Sequence, residues 1–312
     1  MTFKTHQKEL SVATAMVVLA GILAIRAPGY FAYENLSDLF LANVPVMVVA
    51  LGMTVVILAG QIDISVGSIF AICSVAAGLL AKSALPLPAA AVGACLIGGG
   101  LGAINGLLTG YAGIPSIVVT LASMVALRDA LRWQTQGAWV QDLPATFQWF
   151  GLSQASYPTV ASLAVVFLVG FFAWGLRRLA GGRAIYATGS HMEGARLAGI
   201  DTSFVVFAVF LVSGILTGLA AVLNSVRFHQ IPSNTGLGLE MKVIAAVIVG
   251  GTAITGGVGT IAGTVLGVIL LGGIGPALTF LGVSVYWERA IQGGIVLTAV
   301  INYARTAAGD RR

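Results

Sequence analysis

Long apolar stretches separated by short polar connections dominate this chain. A helix that crosses a bilayer needs about 20 mainly apolar residues, and about ten stretches approach that length. They cover residues 10–25, 44–60, 68–81, 87–111, 114–127, 159–176, 204–226, 241–255, 257–281 and 285–303. The pattern predicts an all-α integral membrane protein with about ten transmembrane helices, built as a single polytopic domain across residues 1–312.

Three of these stretches, 68–81, 114–127 and 241–255, are short for an upright crossing. We therefore expect some tilted helices or half-helices of broken spans. Two glycine-rich breaks, 60–68 and 256–264, share a pair of glycines seven residues apart that is followed by a hydroxyl residue. This echo suggests an internal two-fold repeat, although chance spacing in a glycine-rich chain produces similar pairs.

The composition excludes several classes of protein. Only 9% of the residues are charged and 58% are hydrophobic, with a mean hydropathy of +0.97. A soluble globular protein needs more polar groups than this to cover its surface. Coiled coils, disordered chains and disulfide scaffolds are excluded as well. The basic residues are scattered, which argues against nucleic-acid binding. Cys73 and Cys95 lie in apolar runs and are expected to be small buried hydrophobes. No spacing of histidines or cysteines indicates a metal or another cofactor.

Basic residues indicate the orientation. Arg177, Arg178 and Arg183 form a compact cluster between two apolar stretches. Because positively charged connections stay in the cytoplasm, we expect the 177–203 connection and both termini to be cytoplasmic. The 128–158 connection then lies outside. Its many aromatic residues either anchor it at headgroup level or form a docking surface for an external partner.

Asp63 is unusual because it is an acid between Ile62 and Ile64 in a chain that avoids charge. A carboxylate inside a membrane costs about 2.5–3.5 kcal/mol or more. Asp63 could lie at the membrane surface, accept backbone N–H groups at the start of the following helix, or bind a proton or cation. We favour the acceptor role, because no second intramembrane acid or histidine accompanies it.

The 177–203 connection contains a short amphipathic turn of helix at residues 193–200. It presents Glu193 and Arg196 on one face and ends with Gly199 in a C-cap position. Such a helix can fill a groove in a cytoplasmic partner. The simpler alternative is a surface loop with one helical turn.

Three blocks resemble a known family, the ribose-type permease subunits of ABC sugar importers. They are GQIDISVGS at 60–68, ATGSHMEGARLAGI at 187–200 and GGTAITGGVGTIAGTVLGVIL at 250–270. The resemblance extends over about residues 40–303.

Two positions depart from the family pattern and leave the substrate subtype open. Gln61 lengthens the first block, and His191 stands where asparagine is common. The external tract TQGAWVQDLPATFQWFGL resembles that of permeases for deoxyhexoses such as rhamnose.

The resemblance implies a permease that moves a monosaccharide of the pentose or deoxyhexose class across the bacterial inner membrane by alternating access. It implies a second permease copy or paralogue, a cytoplasmic ABC ATPase and a periplasmic sugar-binding protein, all within membrane lipid. The chain has no G-x-x-x-x-G-K-[ST] motif, so we expect it not to be an enzyme, with ATP hydrolysis in a separate subunit.

The resemblance also assigns residues. The ATPase-coupling residues are Gly189, His191, Glu193, Ala195, Arg196, Gly199 and Ile200. The structural and translocation signature comprises Gly60, Asp63, Ser65, Gly67, Ser68, Gly256, Gly257, Gly259, Thr260, Gly263 and Thr264. Intramembrane amides and hydroxyls give candidates that line the pathway, although such groups more often connect helices. These candidates are Asn43, Thr54, Asn105, Thr109 and Thr120, together with Ser65 and Ser68.

Three other functions compete with this interpretation. An ion-coupled secondary transporter would use Asp63 as its ion site. A membrane enzyme has no support, because neither HExxH nor G-x-S-x-G occurs. A passive channel would need a filter, and no filter motif is recognisable.

Overall fold

Helices account for nearly all regular structure in the described part of the chain. The computed structural model describes residues 2–83 and 85–284 and, beyond these, only residues 286–288, 290, 291, 293, 294 and 297. Within them no β-strand forms, and one isolated antiparallel bridge joins Val140 to Ile231. The prediction of an all-α protein is confirmed.

Eleven α-helices follow one another in the described residues. They are α1 (Thr2–Arg26), α2 (Tyr33–Leu58), α3 (Val66–Lys82), α4 (Leu87–Gly110), α5 (Ser116–Thr135), α6 (Tyr157–Arg178), α7 (Ala180–Ser190), α8 (Met192–Leu197), α9 (Thr202–Ser225), α10 (Leu239–Val249) and α11 (Ile261–Phe280). Two short 3₁₀ helices, Pro28–Phe31 and Ala145–Gly151, lie in connections.

Five of these helices, α2, α4, α6, α9 and α11, are long and apolar enough to span a membrane. Leu10–Arg26 and α3 are shorter apolar helices. The expected total of about ten spans is not confirmed. Helix α5 carries three charged residues, and α10 has only 11 residues. The predicted stretch 285–303 lies largely outside the described residues. The internal repeat remains a prediction.

Some predicted boundaries differ from the structure. Helix α5 ends at Thr135 rather than at residue 127, so the connection that follows begins at 136 and not at 128. The cause is that residues 128–135 are polar and partly charged, so hydropathy does not show that the helix continues through them. Helix α10 ends at Val249, earlier than the predicted 255, because the glycines of the second break follow it.

Helix α2 forms the centre of the bundle. Its apolar segment is 89% buried, whereas that of α6 is only 17% buried. The reason lies in the run VPVMVVALGMTVVIL, which is apolar on every face and therefore suits a helix surrounded by protein. Helices α9, α10 and α11 pack around it, and α6 keeps most of its apolar surface outward.

Glycines at four-residue spacing bring α4 and α9 into backbone contact. A Cβ at Gly98 or Gly102 would overlap carbonyl oxygens of α9, and Gly106 and Gly110 face α9 in the same way. Small residues that repeat at this spacing let membrane helices approach closely. We call this contact the glycine seam.

The connections separate into two ends of the bundle. Residues 136–156 and 226–238 meet at one end, where the Trp149 amide donates to the Val226 carbonyl at 2.8 Å. Helices α7 and α8 lie at the other end, together with the two breaks. The structure bounds the first break at 59–65, between α2 and α3, and the second at 250–260, between α10 and α11.

Candidate functional site

The three blocks that carry the family resemblance meet at the α7–α8 end. The Gly257 amide of the second break donates to the Leu58 carbonyl at the end of α2, with 2.9 Å between the atoms. Gly189 of α7 packs so closely on the same carbonyl that a Cβ would overlap its oxygen. A Cβ at Gly256 would lie 2.7 Å from the Gly60 Cα. The predicted signature and the predicted coupling segment therefore form one contact.

Helix α7 adds a side-chain bond to this contact. The Tyr186 hydroxyl donates to the Gly259 carbonyl at 2.8 Å. Burial raises the pKa of Tyr186 above its usual value, so the hydroxyl keeps the proton that it donates. We call the set 58–60, 186–190 and 256–259 the glycine junction.

The first break is organised by Asp63, which is fully buried in the protein. Its Oδ1 accepts the Ser65 amide at 2.9 Å and the Ser65 hydroxyl at 2.6 Å. The Asn105 amide donates to the Ser65 hydroxyl at 2.9 Å, and the Ser123 hydroxyl donates to Asn105 at 2.6 Å. This geometry matches the predicted acceptor role, except that the N–H belongs to Ser65, which directly precedes α3.

The second break carries no charge. The Thr260 hydroxyl accepts the Gly263 amide at 2.9 Å and so caps α11. Thr264, one turn along α11, shares a hydrogen bond of 2.7 Å with Thr54 of α2. Gly250 packs directly on the backbone of Gly263. This break is therefore fixed by a hydroxyl cap and by close backbone packing.

Helix α8 has defined caps at both ends. The His191 Nδ1 accepts the Gly194 amide at 2.7 Å and caps its start. Gly199 follows its end with φ of +82°, and the Ile200 amide donates to the Ala195 carbonyl at 3.0 Å. These bonds form a Schellman motif, which needs a left-handed residue at the glycine position.

The predicted coupling residues divide between an inner and an outer face of α8. Ala195 is buried, whereas Glu193 and Arg196 are exposed, and the Arg196 Nε donates to the Thr202 hydroxyl at 2.8 Å. Leu197 is 86% exposed. An apolar tip with charged neighbours suits insertion into a protein groove.

The residues predicted to line the pathway lie in three places. Ser68, Asn105 and Thr120 surround the first break, where Thr120 donates to the Ser116 carbonyl at 2.8 Å. Asn43 and Thr54 lie on α2 and face α11. Thr109 is buried near the end of α4.

Sequence reasoning missed several participants. Leu58 contributes only its carbonyl, which no side-chain pattern reveals. Tyr186 directly precedes the coupling block, in a connection that the sequence predicts to be largely loop, and Ser123 lies in an apolar stretch like many other serines. Within the described residues, no group of three or more His, Cys, Asp or Glu could hold a metal ion. Cys73 is buried as predicted, and Cys95 is partly buried.

Known proteins resemble this chain over most of its length. The family described as "Branched-chain amino acid transport system / permease component" matches residues 35–300. The autoinducer 2 import system permease protein LsrC of Escherichia coli (strain K12 / DH10B) is 34% identical over 306 residues, which cover 96% of this chain and 88% of the relative. LsrC of Enterobacter sp. (strain 638) is 33% identical, over 94% of this chain and 86% of the relative. LsrC of Yersinia pestis (strain Pestoides F) is 33% identical, over 96% and 86%. No solved structure matches.

Proposed function

The chain belongs to the family of transport-system permease components that matches residues 35–300, and on that premise we propose that it forms the membrane pathway of an ATP-driven importer for a small hydroxylated molecule. Family membership confirms the resemblance to ribose-type ABC permease subunits. It also agrees with the expectation that this chain is not an enzyme.

The glycine junction is the observation that supports an ATP-driven mechanism. Helix α7 contacts both helix breaks through backbone atoms, at the Leu58 carbonyl and the Gly257 amide. Breaks in membrane helices are the places where transporter helices can rock. A displacement of α7 and α8 by a partner would therefore move both breaks together. Alternating access would follow from this coupled movement.

We place the substrate among small neutral molecules with several hydroxyl groups. The relatives are named for the import of autoinducer 2, and the three blocks resemble ribose-type permeases. A pentose, a deoxyhexose and autoinducer 2 are the candidates that we would test first.

The two ends of the bundle suggest where the partners bind. The cluster of Arg177, Arg178 and Arg183 lies at the α7–α8 end, which favours a cytoplasmic location. A cytoplasmic ABC ATPase would receive the exposed tip of α8. A periplasmic binding protein would deliver substrate to residues 136–156 and 226–238. A second permease copy or a paralogue would complete the pathway in the bacterial inner membrane.

Co-purification tests the assembly. The complex would be extracted from native membranes in mild detergent, and all proteins that elute with it would be identified by mass spectrometry. We expect a stoichiometric ATPase. A preparation without an ATPase that still takes up substrate along an ion gradient would contradict the proposal and favour the ion-coupled transporter.

Paired substitutions test the coupling role of α8. Glu193→Ala with Arg196→Ala should lower substrate-stimulated ATPase activity about tenfold while insertion in the membrane stays intact, because interface contacts of this kind contribute about 1–2 kcal/mol. The matched control is Asp129→Ala with Arg132→Ala, an exposed ion pair of the same spacing on α5. Normal stimulation in the α8 variant would contradict the coupling role.

A further inference from the structure

A pair of opposite charges, the buried Glu240 and the partly buried Arg128, lies where α3, α5 and α10 meet, outside the glycine junction. Glu240 belongs to the first turn of α10 and is only 9% exposed. Arg128 of α5 reaches the first turn of α3, where its Nε donates to the Ser68 hydroxyl at 3.3 Å. Charged groups inside membrane bundles mark pathways for substrates or ions.

The length of α10 places Glu240 away from the α7–α8 end of the bundle. Helix α10 has 11 residues, so it is about 16 Å long, roughly half of a hydrocarbon core of about 30 Å. Its last residue, Val249, adjoins the second break at the α7–α8 end. Glu240 at its start therefore lies about 14 Å from that end, where the 226–238 connection leads into α10. Substrate sites of transporters form where such discontinuous helices begin.

Neither charge is fully satisfied within the protein. The Arg128 Nη1 and the Glu240 Oε2 are both buried, and neither atom has a hydrogen-bond partner. Glu240 nevertheless provides the strongest favourable charge on the Arg128 guanidinium, ahead of Asp129. A buried polar atom without a partner is costly. A guest molecule that came between them would supply the acceptor and the donor that these two atoms lack.

The absence of a side chain at Gly67 leaves room for the Glu240 carboxylate. The Oε2 lies directly on Gly67, where a Cβ would overlap it, and the same Cβ would be 2.7 Å from the Gly236 carbonyl oxygen. The carboxylate therefore lies against the first turn of α3, the end of a helix that favours negative charge. A larger residue at Gly67 would displace it.

We propose that Arg128, Glu240 and Ser68 form a substrate site inside the membrane, which binds adjacent hydroxyl groups of a small neutral molecule. The carboxylate accepts hydrogen bonds from the hydroxyl groups of the guest, and the guanidinium donates hydrogen bonds to its hydroxyl oxygens. Because the two charges cancel, a neutral guest leaves no net buried charge. This inference rests on the proposed function and names the residues that recognise its substrate.

A zwitterionic amino acid could also bridge these two charges. Its carboxylate would pair with Arg128 and its ammonium group with Glu240. We favour the hydroxylated guest because the Ser68 hydroxyl already accepts from the Arg128 Nε, so a guest carboxylate could not pair with the guanidinium through that edge.

The test measures uptake by cells that contain the complete importer. The probes are radiolabelled ribose, rhamnose and autoinducer 2, with leucine as the amino acid. The decisive variant is Arg128→Gln with Glu240→Gln, which removes both charges and so leaves no single buried charge to prevent folding. Arg132→Gln, an exposed position one turn along α5, is the control.

We expect the double variant to lose about tenfold in uptake at limiting substrate, the loss of one charged hydrogen bond, and to recover at saturating substrate. The amount of protein in the membrane should stay normal, as should uptake by the control. Unchanged sugar uptake in the double variant would overturn the site and leave the proposed function standing. Transport of leucine alone would overturn the hydroxylated guest. Failure of the wild type to transport any probe would overturn both proposals.

Discussion

The two helix breaks solve one physical problem in different ways. Each interrupts a helix inside an apolar bundle, where freed backbone groups must find partners. The first break uses a buried carboxylate, with Asp63 bonded to Ser65. The second uses close backbone packing, with Gly250 on Gly263 and Gly257 bonded to Leu58.

This difference determines what each break can tolerate. The first depends on the hydrogen-bonding capacity of one side chain, so a substitution that keeps an oxygen acceptor should be mild. The second depends on the absence of side-chain volume, so even a methyl group should be severe. Sensitivity to volume and sensitivity to chemistry can therefore be separated by mutation.

The largest effect is expected where both breaks meet α7. A methyl group in Gly189→Ala would overlap the Leu58 carbonyl oxygen and lie 2.7 Å from the Gly257 nitrogen. We expect a loss of about 3 kcal/mol or more, visible as a lower melting temperature of the purified protein and as lost uptake. The control is Gly181→Ala on the same helix, where the added Cβ has no neighbour within 4 Å. Equal melting temperatures of the two variants would refute the packing role.

The next effect concerns the second break alone. Gly257 has φ of +70°, and an added Cβ would contact Ser190. Gly257→Ala therefore combines backbone strain with crowding, and we expect a loss of about 2–3 kcal/mol. Gly113→Ala is the matched control, because Gly113 has φ of +71° and open space around its Cβ position. If both variants melt alike, strain rather than crowding explains the effect.

A smaller effect is expected at the first break. Asp63→Leu leaves the Ser65 amide and hydroxyl without their acceptor and should cost about 1–3 kcal/mol. Asp63→Asn keeps an oxygen acceptor, so its melting temperature should lie between those of the leucine variant and the wild type. The pH profile of uptake should stay unchanged in Asp63→Asn. A shifted profile with normal assembly would support an ion-coupled transporter.

The smallest effect is expected for the bond between α7 and the second break. Tyr186→Phe removes only the hydroxyl that donates to the Gly259 carbonyl, at a cost of about 1 kcal/mol. Melting temperature should fall by a few degrees. ATPase stimulation by substrate should weaken more than basal ATPase activity. Identical weakening of both activities would show that Tyr186 only stabilises the fold.

Much of this architecture was predictable because apolar length and glycine spacing report directly on membrane helices. The breaks at Gly60 and Gly256 and the helix end at Gly199 follow from residues whose backbone preferences are strong. The all-helical fold follows from the same pattern.

Other features were hidden for physical reasons. The polar end of α5 resembles a loop in hydropathy although it continues the helix to Thr135. The meeting of Gly60, Gly189 and Gly257 depends on contacts between residues far apart in sequence, and it involves backbone atoms that carry no residue-specific signal. The sequence does not reveal that Glu240 is buried, because an acid two residues before a basic residue, Lys242, resembles a surface ion pair.

The glycine seam has a mechanical consequence. Helices α4 and α9 touch through their backbones, so the pair cannot slide by exchanging side-chain rotamers and must shift as one rigid lever. Arg196 of α8 donates a hydrogen bond to Thr202 at the start of α9. Asn105 of α4 donates one to Ser65 at the first break. A displacement of α8 would therefore reach the first break by two routes, one through α7 and one through the α4–α9 pair. The difference between the displacement of α7 and that of the α4–α9 pair would determine how far the first break opens.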